Sequence, residues 1–221
     1  MAVIHRTELK PSKLELLTAW LPTRPWYAGG SGGPELTKAG GFRLDDPSGE
    51  VGIEFIVVTD AAAPGASYLV PLSYRGVPLT GAEHALVGTM EHGVLGRRWA
   101  YDGCHDPVLV GQLLALAEGR AQAQDQNVSD APDREVAVSY AGEGPLTPEV
   151  TATDDQEGTL LRLADPHGTA LRLHRTLRPA PDGRPLPPQG AIGHVTGAWN
   201  APDGTRARGV FASLHTGGDR A

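Results

Sequence analysis

Residues 52–59 read Gly-Ile-Glu-Phe-Ile-Val-Val-Thr, and no other stretch constrains the fold as strongly. Ile53, Phe55 and Val57 fall on one face of an extended chain, Ile56 and Val58 on the other. A strand that is apolar on both faces is satisfied only in the interior of a sheet with a covering layer on each side. The neighbouring sequence supplies what such a strand needs. Leu36–Leu44 precedes it as a strand, and Tyr68–Tyr74 follows the turn Ala63-Pro64-Gly65, which makes a hairpin. Leu95–Tyr101 reads as a further strand, and Val3–Lys10 alternates as an opening one.

Two helices are available as covers. Ser12 is placed to cap the first, whose stripe is Leu14, Leu16, Leu17, Trp20 and Leu21, and Pro22 ends it. Asp106-Pro107 sets a capping acid before a proline at the first helical position, and Leu109, Val110, Leu113, Leu114 and Leu116 run on towards Gly119. Pro22–Pro34 is a loop rich in Pro and Gly that carries Trp26 and Tyr27. Residues 120–132 are polar and read as a linker.

The second half has a different texture. Strands are expected at Arg134–Tyr140, Thr159–Leu163, Ala170–Leu177, Ile192–Trp199 and Gly209–Leu214. Pro179–Gly190 holds five prolines and excludes both helix and interior strand. The fold class is α+β: an antiparallel sheet with two helices over 1–125, then a second, mostly-β unit over 133–221.

Charge and composition narrow the function classes. A net charge of −7 over 221 residues argues against nonspecific nucleic-acid binding, where a basic surface supplies the affinity. No apolar run reaches the ~18 residues of a membrane span, and Met1–Lys10 has no apolar signal core, so a soluble, cytoplasmic protein is expected. The single cysteine, Cys104, excludes an internal disulfide and a multi-cysteine metal site.

Cys104-His105-Asp106 has the residue types of a thiol triad, but adjacent side chains diverge, whereas a triad converges from separated positions. Asp106 is better read as the helix cap. The eight histidines show no helical zinc spacing, and His84 and His92 share a Gly-rich connection in which they could meet. Ala28–Gly33 lacks the Gly-Lys-Ser/Thr ending of a phosphate loop. The acidic pairs Asp45-Asp46 and Asp154-Asp155 lie in turn-like segments, where carboxylates are usually solvated. No catalytic residue, metal ligand or cofactor is assigned. Trp26 and Tyr27 are candidates for stacking on a sugar or a partner, or for closing a small core over the helix end. Trp99 and Trp199 are further aromatics to test as interface anchors.

Three stretches resemble a known family. Leu16-Leu17-Thr18-Ala19-Trp20-Leu21 followed by Arg24-Pro25-Trp26-Tyr27 is similar to the start of bacterial maltokinases. Gly81–Gly88 and Tyr101–Pro107 resemble later parts of the same N-terminal cap domain, so the likeness covers about residues 5–120. It implies a cystatin-like antiparallel sheet with helices, placed ahead of a kinase N-lobe. Asp155-Gln156-Glu157-Gly158-Thr159 resembles the family's turn over the nucleotide phosphates, and Leu171–Leu177 the strand of its nucleotide-binding lysine, whose position is Arg172 here.

The departures bear on activity. A kinase needs that lysine, a helical glutamate to hold it, a catalytic aspartate and a metal-binding aspartate. Arg172 places its donors differently from an ammonium, and Pro181–Pro188 cannot be the glutamate-bearing helix. Neither a His-Gly-Asp catalytic loop nor a metal-binding Asp-Phe-Asp/Glu is present, and the sequence stops where the C-lobe would begin. The resemblance thus implies a non-catalytic, stand-alone cap with a reduced, pseudokinase-like N-lobe, working near maltose, trehalose or glycogen metabolism. Its partner would be a sugar kinase, a glucan-metabolising enzyme or a saccharide, and Trp26, Tyr27 and Arg172 are the residues expected to meet it. Two other readings stay open: a sugar-kinase-related or hydrolytic enzyme, and a structural subunit of a complex.

Overall fold

The computed structural model describes residues 9–30, 32–128 and 130–217. Val3–Glu8 of the expected opening strand lie outside the described residues, which leave β1 as Leu9–Lys10. Helix α1 (Lys13–Trp20) starts on a capping box: Ser12 accepts from the Glu15 amide while the Glu15 carboxylate accepts from the Ser12 amide. Strands β2 (Leu36–Leu44), β3 (Gly52–Asp60) and β4 (Ser67–Arg75) follow as an antiparallel meander. Next come β5 (Leu86–His92), β6 (Gly96–Asp102) and helix α2 (Pro107–Ala117). Asp106 caps α2 by accepting from the Val108 amide, as its position before the proline implied.

The second half contributes β7 (Ala137–Tyr140), β8 (Val150–Asp155), β9 (Gly158–Leu163), β10 (Ala170–His174), β11 (Gly193–Asn200) and β12 (Arg206–His215). All pairings are antiparallel, in the order β1-β5-β6-β4-β3-β2-β11-β12-β10-β9-β8, with β7 against β11. The protein is therefore mostly antiparallel sheet with two short helices, an α+β arrangement.

β3 is interior, as its two apolar faces required. Phe55 and Val57 pack in the cluster that contains α2, whereas Ile56 and Val58 pack in the one that contains Leu17, Trp20 and Leu21 of the first helical segment. The described strands of the two expected units lie in one sheet, and one of the buried clusters draws on both. Leu113 and Phe55 belong to the same buried cluster as Leu161, Leu173, Trp199 and Phe211. Between β2 and β11 a single residue pair, Trp199 with Gly40, joins the two sets of strands. Gly40 and Gly41 lie there with φ of 159° and 121°. A Cβ at Gly41 would stand 1.9 Å from the Phe55 carbonyl oxygen, so that position demands glycine.

A second junction runs after β10. The Leu69 amide donates to the Arg175 carbonyl (2.8 Å) and the Leu177 amide to the Ser67 carbonyl (2.8 Å), so residues 175–177 lie along the start of β4. The chain leaves the β10 ladder here rather than extending it to Leu177 as expected. Two strands go beyond the sequence reading: Leu86–His92 fills much of the connection between His84 and His92, and Val150–Asp155 ends in the acidic pair Asp154-Asp155, which is strand and not turn. Pro179–Gly190 is irregular apart from one 3-10 turn at Pro181–Gly183.

Candidate functional site

The β10 strand alternates sharply. Leu171 and Leu173 turn into the core, so Arg172 and His174 project from the opposite face and Arg175 turns inward. On the outer face lies a groove of about 950 Å³. It is lined by Arg172, His174 and the turn residues Gln156 and Glu157, and by Pro179, Arg184 and Leu186 of the proline-rich segment. Trp26, Ala28 and Val210 also line it. Arg172 is tied to Asp155, its Nη1 lying 2.6 Å from Oδ2, and the pair draws the Asp155 carboxyl below its ordinary range against the opposing effect of burial. His174 meets the Ser213 hydroxyl at 3.1 Å, and the same hydroxyl meets His215 at 3.2 Å. Burial first, and then the charges of Arg172, His215 and Arg178, push His174 down to about 4.

Behind the groove, Arg175 is fully buried. Its Nη2 donates to both Asp102 oxygens at 2.6 Å, its Nε to Thr159 Oγ1 at 2.7 Å, and the Cys104 sulfur lies 3.4 Å away. Thr159 in turn donates to Asp154 at 2.6 Å. Burial opposes the guanidinium charge, but Asp102, with Cys104 and Asp154, outweighs it and raises the Arg175 pKa. The Trp26 ring covers the guanidinium, with its centroid 5.1 Å from Cζ. Arg175 is thus sealed between the two halves of the sequence and not free to meet a ligand.

The three neighbours Cys104, His105 and Asp106 take three different partners. Cys104 is 1% exposed beside Arg175, and burial pushes its thiol well up, the reverse of what a nucleophile requires. His105 meets His84 with ring nitrogens 3.1 Å apart, so the histidine paired with His84 is His105 and not His92. Burial, opposed by Asp102, draws the His105 pKa down. Asp106 accepts a bidentate pair from Arg75, both contacts at 2.7 Å, while capping α2. A hydrolase built on Cys104 has no support in this geometry.

The expected contact residues part company. Trp26 and Arg172 line the same groove, although only an edge of Trp26 reaches it, since the residue is 2% exposed. Tyr27 is turned away: its hydroxyl donates to Asp60 at 2.8 Å, and burial together with that carboxylate pushes the phenol up to about 12. Trp20 and Trp26 meet edge to face at 5.8 Å, and both belong to the cluster over the end of α1, the core-closing role foreseen for the loop aromatics. Trp199 is no surface anchor, because it is fully buried and donates to Ser67 at 3.1 Å. Neither acidic pair is simply solvated. Asp46 is buried and ties down the amides of Ser48, Glu50 and Val51, and Asp154 holds Thr159. Among the described residues no group of three or more His, Cys, Asp or Glu could hold a metal ion, and no helix is long and apolar enough to cross a membrane.

The family model of the maltokinase N-terminal cap domain matches residues 20–106, from the end of α1 to the cap of α2. This is the family that the sequence motifs resembled, and the match covers less than half of the chain. No curated protein matches the chain.

Proposed function

We propose that this protein is a non-catalytic binding or regulatory module of maltose, trehalose or glycogen metabolism, and that the groove between Trp26, Arg172 and the proline-rich segment is its ligand site. The match of residues 20–106 to the cap domain supports the metabolic link. The observation that carries the site is the groove itself, which Trp26 of the cap-matching stretch lines together with Arg172, His174 and the 156–157 turn of the second half.

The second half reads as a reduced kinase N-lobe. Support comes from the β8–β9 hairpin, whose turn lies beside Arg172 on the third strand, where protein kinases carry their phosphate-holding lysine. Catalysis is set aside on positive features: the residue in that place is an arginine already engaged with Asp155, and a proline-rich segment with one 3-10 turn connects β10 to β11 where a glutamate-bearing helix is required.

The test is a thermal-shift panel of maltose, trehalose, maltooligosaccharides and ATP with magnesium, run beside an ATP-hydrolysis assay. A saturable rise with a ligand of this metabolism, without ATP turnover, supports the reading. Magnesium-dependent ATP hydrolysis that survives further purification overturns it.

A further inference from the structure

His84, just before β5, and His105, just after β6, bring two ring nitrogens to one point. Nε2 of His84 and Nδ1 of His105 are 3.1 Å apart, and the rings stand nearly perpendicular at 88°. Both rings rise from a fixed backbone. His84 is the middle residue of the 3-10 turn Glu83–Ala85, in which the Ala85 amide donates to the Ala82 carbonyl at 3.0 Å. Ala82 and Ala85 are buried in a cluster with Tyr101, whose hydroxyl accepts from the Leu79 amide at 2.9 Å. His105 ends the turn Gly103–His105, which the Asp102 carboxylate caps through the Cys104 amide at 3.2 Å. The Asp106 amide closes that turn on the Gly103 carbonyl at 3.0 Å. Ligands held in place beforehand lose little freedom when an ion binds.

The separation that suits an N–H···N hydrogen bond also suits two nitrogens on one metal ion. At about 2.0–2.1 Å from a zinc ion, two imidazole nitrogens stand about 2.9 Å apart at a right angle and about 3.3 Å apart at the tetrahedral angle. The observed 3.1 Å falls between these limits. In the hydrogen-bonded pair one ring carries its proton on the facing nitrogen. With that proton on the ring's other nitrogen, both facing nitrogens offer a lone pair and neither ring changes charge. His84 is exposed and His105 half-buried, which gives an ion an entry path and leaves room for water ligands. The Asp102 and Asp154 carboxylates act on His105, opposed by Arg175, and the Glu83 carboxylate interacts with His84. Fixed carboxylates in reach of the pair favour a cation there.

We propose that His84 and His105 form a two-histidine site for a divalent transition-metal ion of the zinc and nickel type, with water completing the coordination. Imidazole suits these ions, whereas magnesium and calcium take oxygen ligands, so the pair separates the two classes. A bound ion bridges the 79–85 connection and the end of β6. Neither histidine lines the groove, so this inference is independent of the groove's reading as a ligand site.

The experiment is isothermal titration of the full chain with Ni2+, Zn2+ and Mg2+ at neutral pH, beside electron paramagnetic resonance of the Cu2+-loaded protein. One-to-one binding of Ni2+ and Zn2+, at least tenfold weaker in His84→Ala and unchanged in the exposed control His167→Ala, with no binding of Mg2+, supports the proposal. A Cu2+ spectrum with two nitrogen ligands that falls to one in His84→Ala and in His105→Gln supports it by an independent signature. Full affinity in His84→Ala overturns it, because the ion is then held elsewhere, for example by His174 and His215, which both meet the Ser213 hydroxyl. Equal loss in His84→Ala and the control overturns it as well, and so does the absence of Ni2+ and Zn2+ binding, which leaves the pair a hydrogen bond. His84 is exposed, so His84→Ala keeps the core and decides the matter even where His105→Gln lowers stability.

Discussion

Replacing Asp102 by Asn keeps the shape of the side chain and removes the charge that neutralises Arg175. Both partners are buried, and Arg175 Nη2 meets both carboxylate oxygens at 2.6 Å. Removing one member of a buried pair leaves the other as an uncompensated charge, at a cost of about 3–5 kcal/mol. Arg175 is a severe case, since its Nη1 already lacks a partner among the described residues and its remaining contacts are a hydroxyl, a thiol and a ring face. Against a typical domain stability of about 5–15 kcal/mol, the loss is a large fraction, and it corresponds to a fall in Tm of roughly 6–20 °C at this chain length. Arg175→Met strands the opposite charge, and its cost should be comparable. The decisive variant is Asp102→Asn/Arg175→Met, in which no buried charge remains. Urea denaturation of the four proteins should show that the double variant recovers about 2 kcal/mol of the summed single losses. Single losses below about 1 kcal/mol, or strict additivity, would refute the idea that this pair ties the β6 end to the strand after β10 by mutual neutralisation.

Three other positions give equally direct tests. Cys104, buried with its thiol pushed up, should react with a thiol reagent only as fast as the protein unfolds; labelling of the native state at the rate of a free thiol contradicts that placement. His174 titrates near 6.5 in the unfolded chain and near 4 in the fold, so between those values the unfolded state binds more protons. Its contribution is complete above pH 6.5 and is lost as the pH falls towards 4, on the order of 3 kcal/mol in all. Acid-denaturation curves of His174→Gln should be shallower across that window, and an unchanged slope counts against the burial of this imidazole. Gly41→Ala drives a Cβ into the Phe55 carbonyl at φ 121° and should cost more than about 2 kcal/mol. Gly204→Ala, at φ 82° in open space, should cost only about 1 kcal/mol by chemical denaturation.

The elements that could be read beforehand are those whose side chains carry a strong local period. β3 announces itself by two apolar faces, and α2 by a leucine-rich run behind an Asp-Pro cap. β8 is invisible to the same test, because Val150-Thr151-Ala152-Thr153-Asp154-Asp155 has little apolar contrast and ends in two acids. It is a strand because β9 pairs along its whole length, and a partner of that kind lies outside any local window. β5 fails for a related reason: its alternation is broken at Gly88, where the register against β6 shifts, and Leu16 packs against that glycine so closely that a Cβ would stand 2.6 Å from its side chain.

The buried network shows what local pattern can and cannot deliver about a site. Alternation through Leu171, Leu173 and Arg175 marks the arginine as inward-facing, and an inward arginine must have an anion to meet. That anion, Asp102, lies 73 residues earlier, beyond any spacing rule. The triplet 104–106 illustrates the complementary case. Its residue types suggest joint chemistry, yet adjacent side chains leave the backbone in different directions, and Cys104, His105 and Asp106 end beside Arg175, His84 and Arg75. Period along a strand fixes direction, and direction together with charge says what kind of partner must exist. Which residue fills that role depends on how the sheet closes.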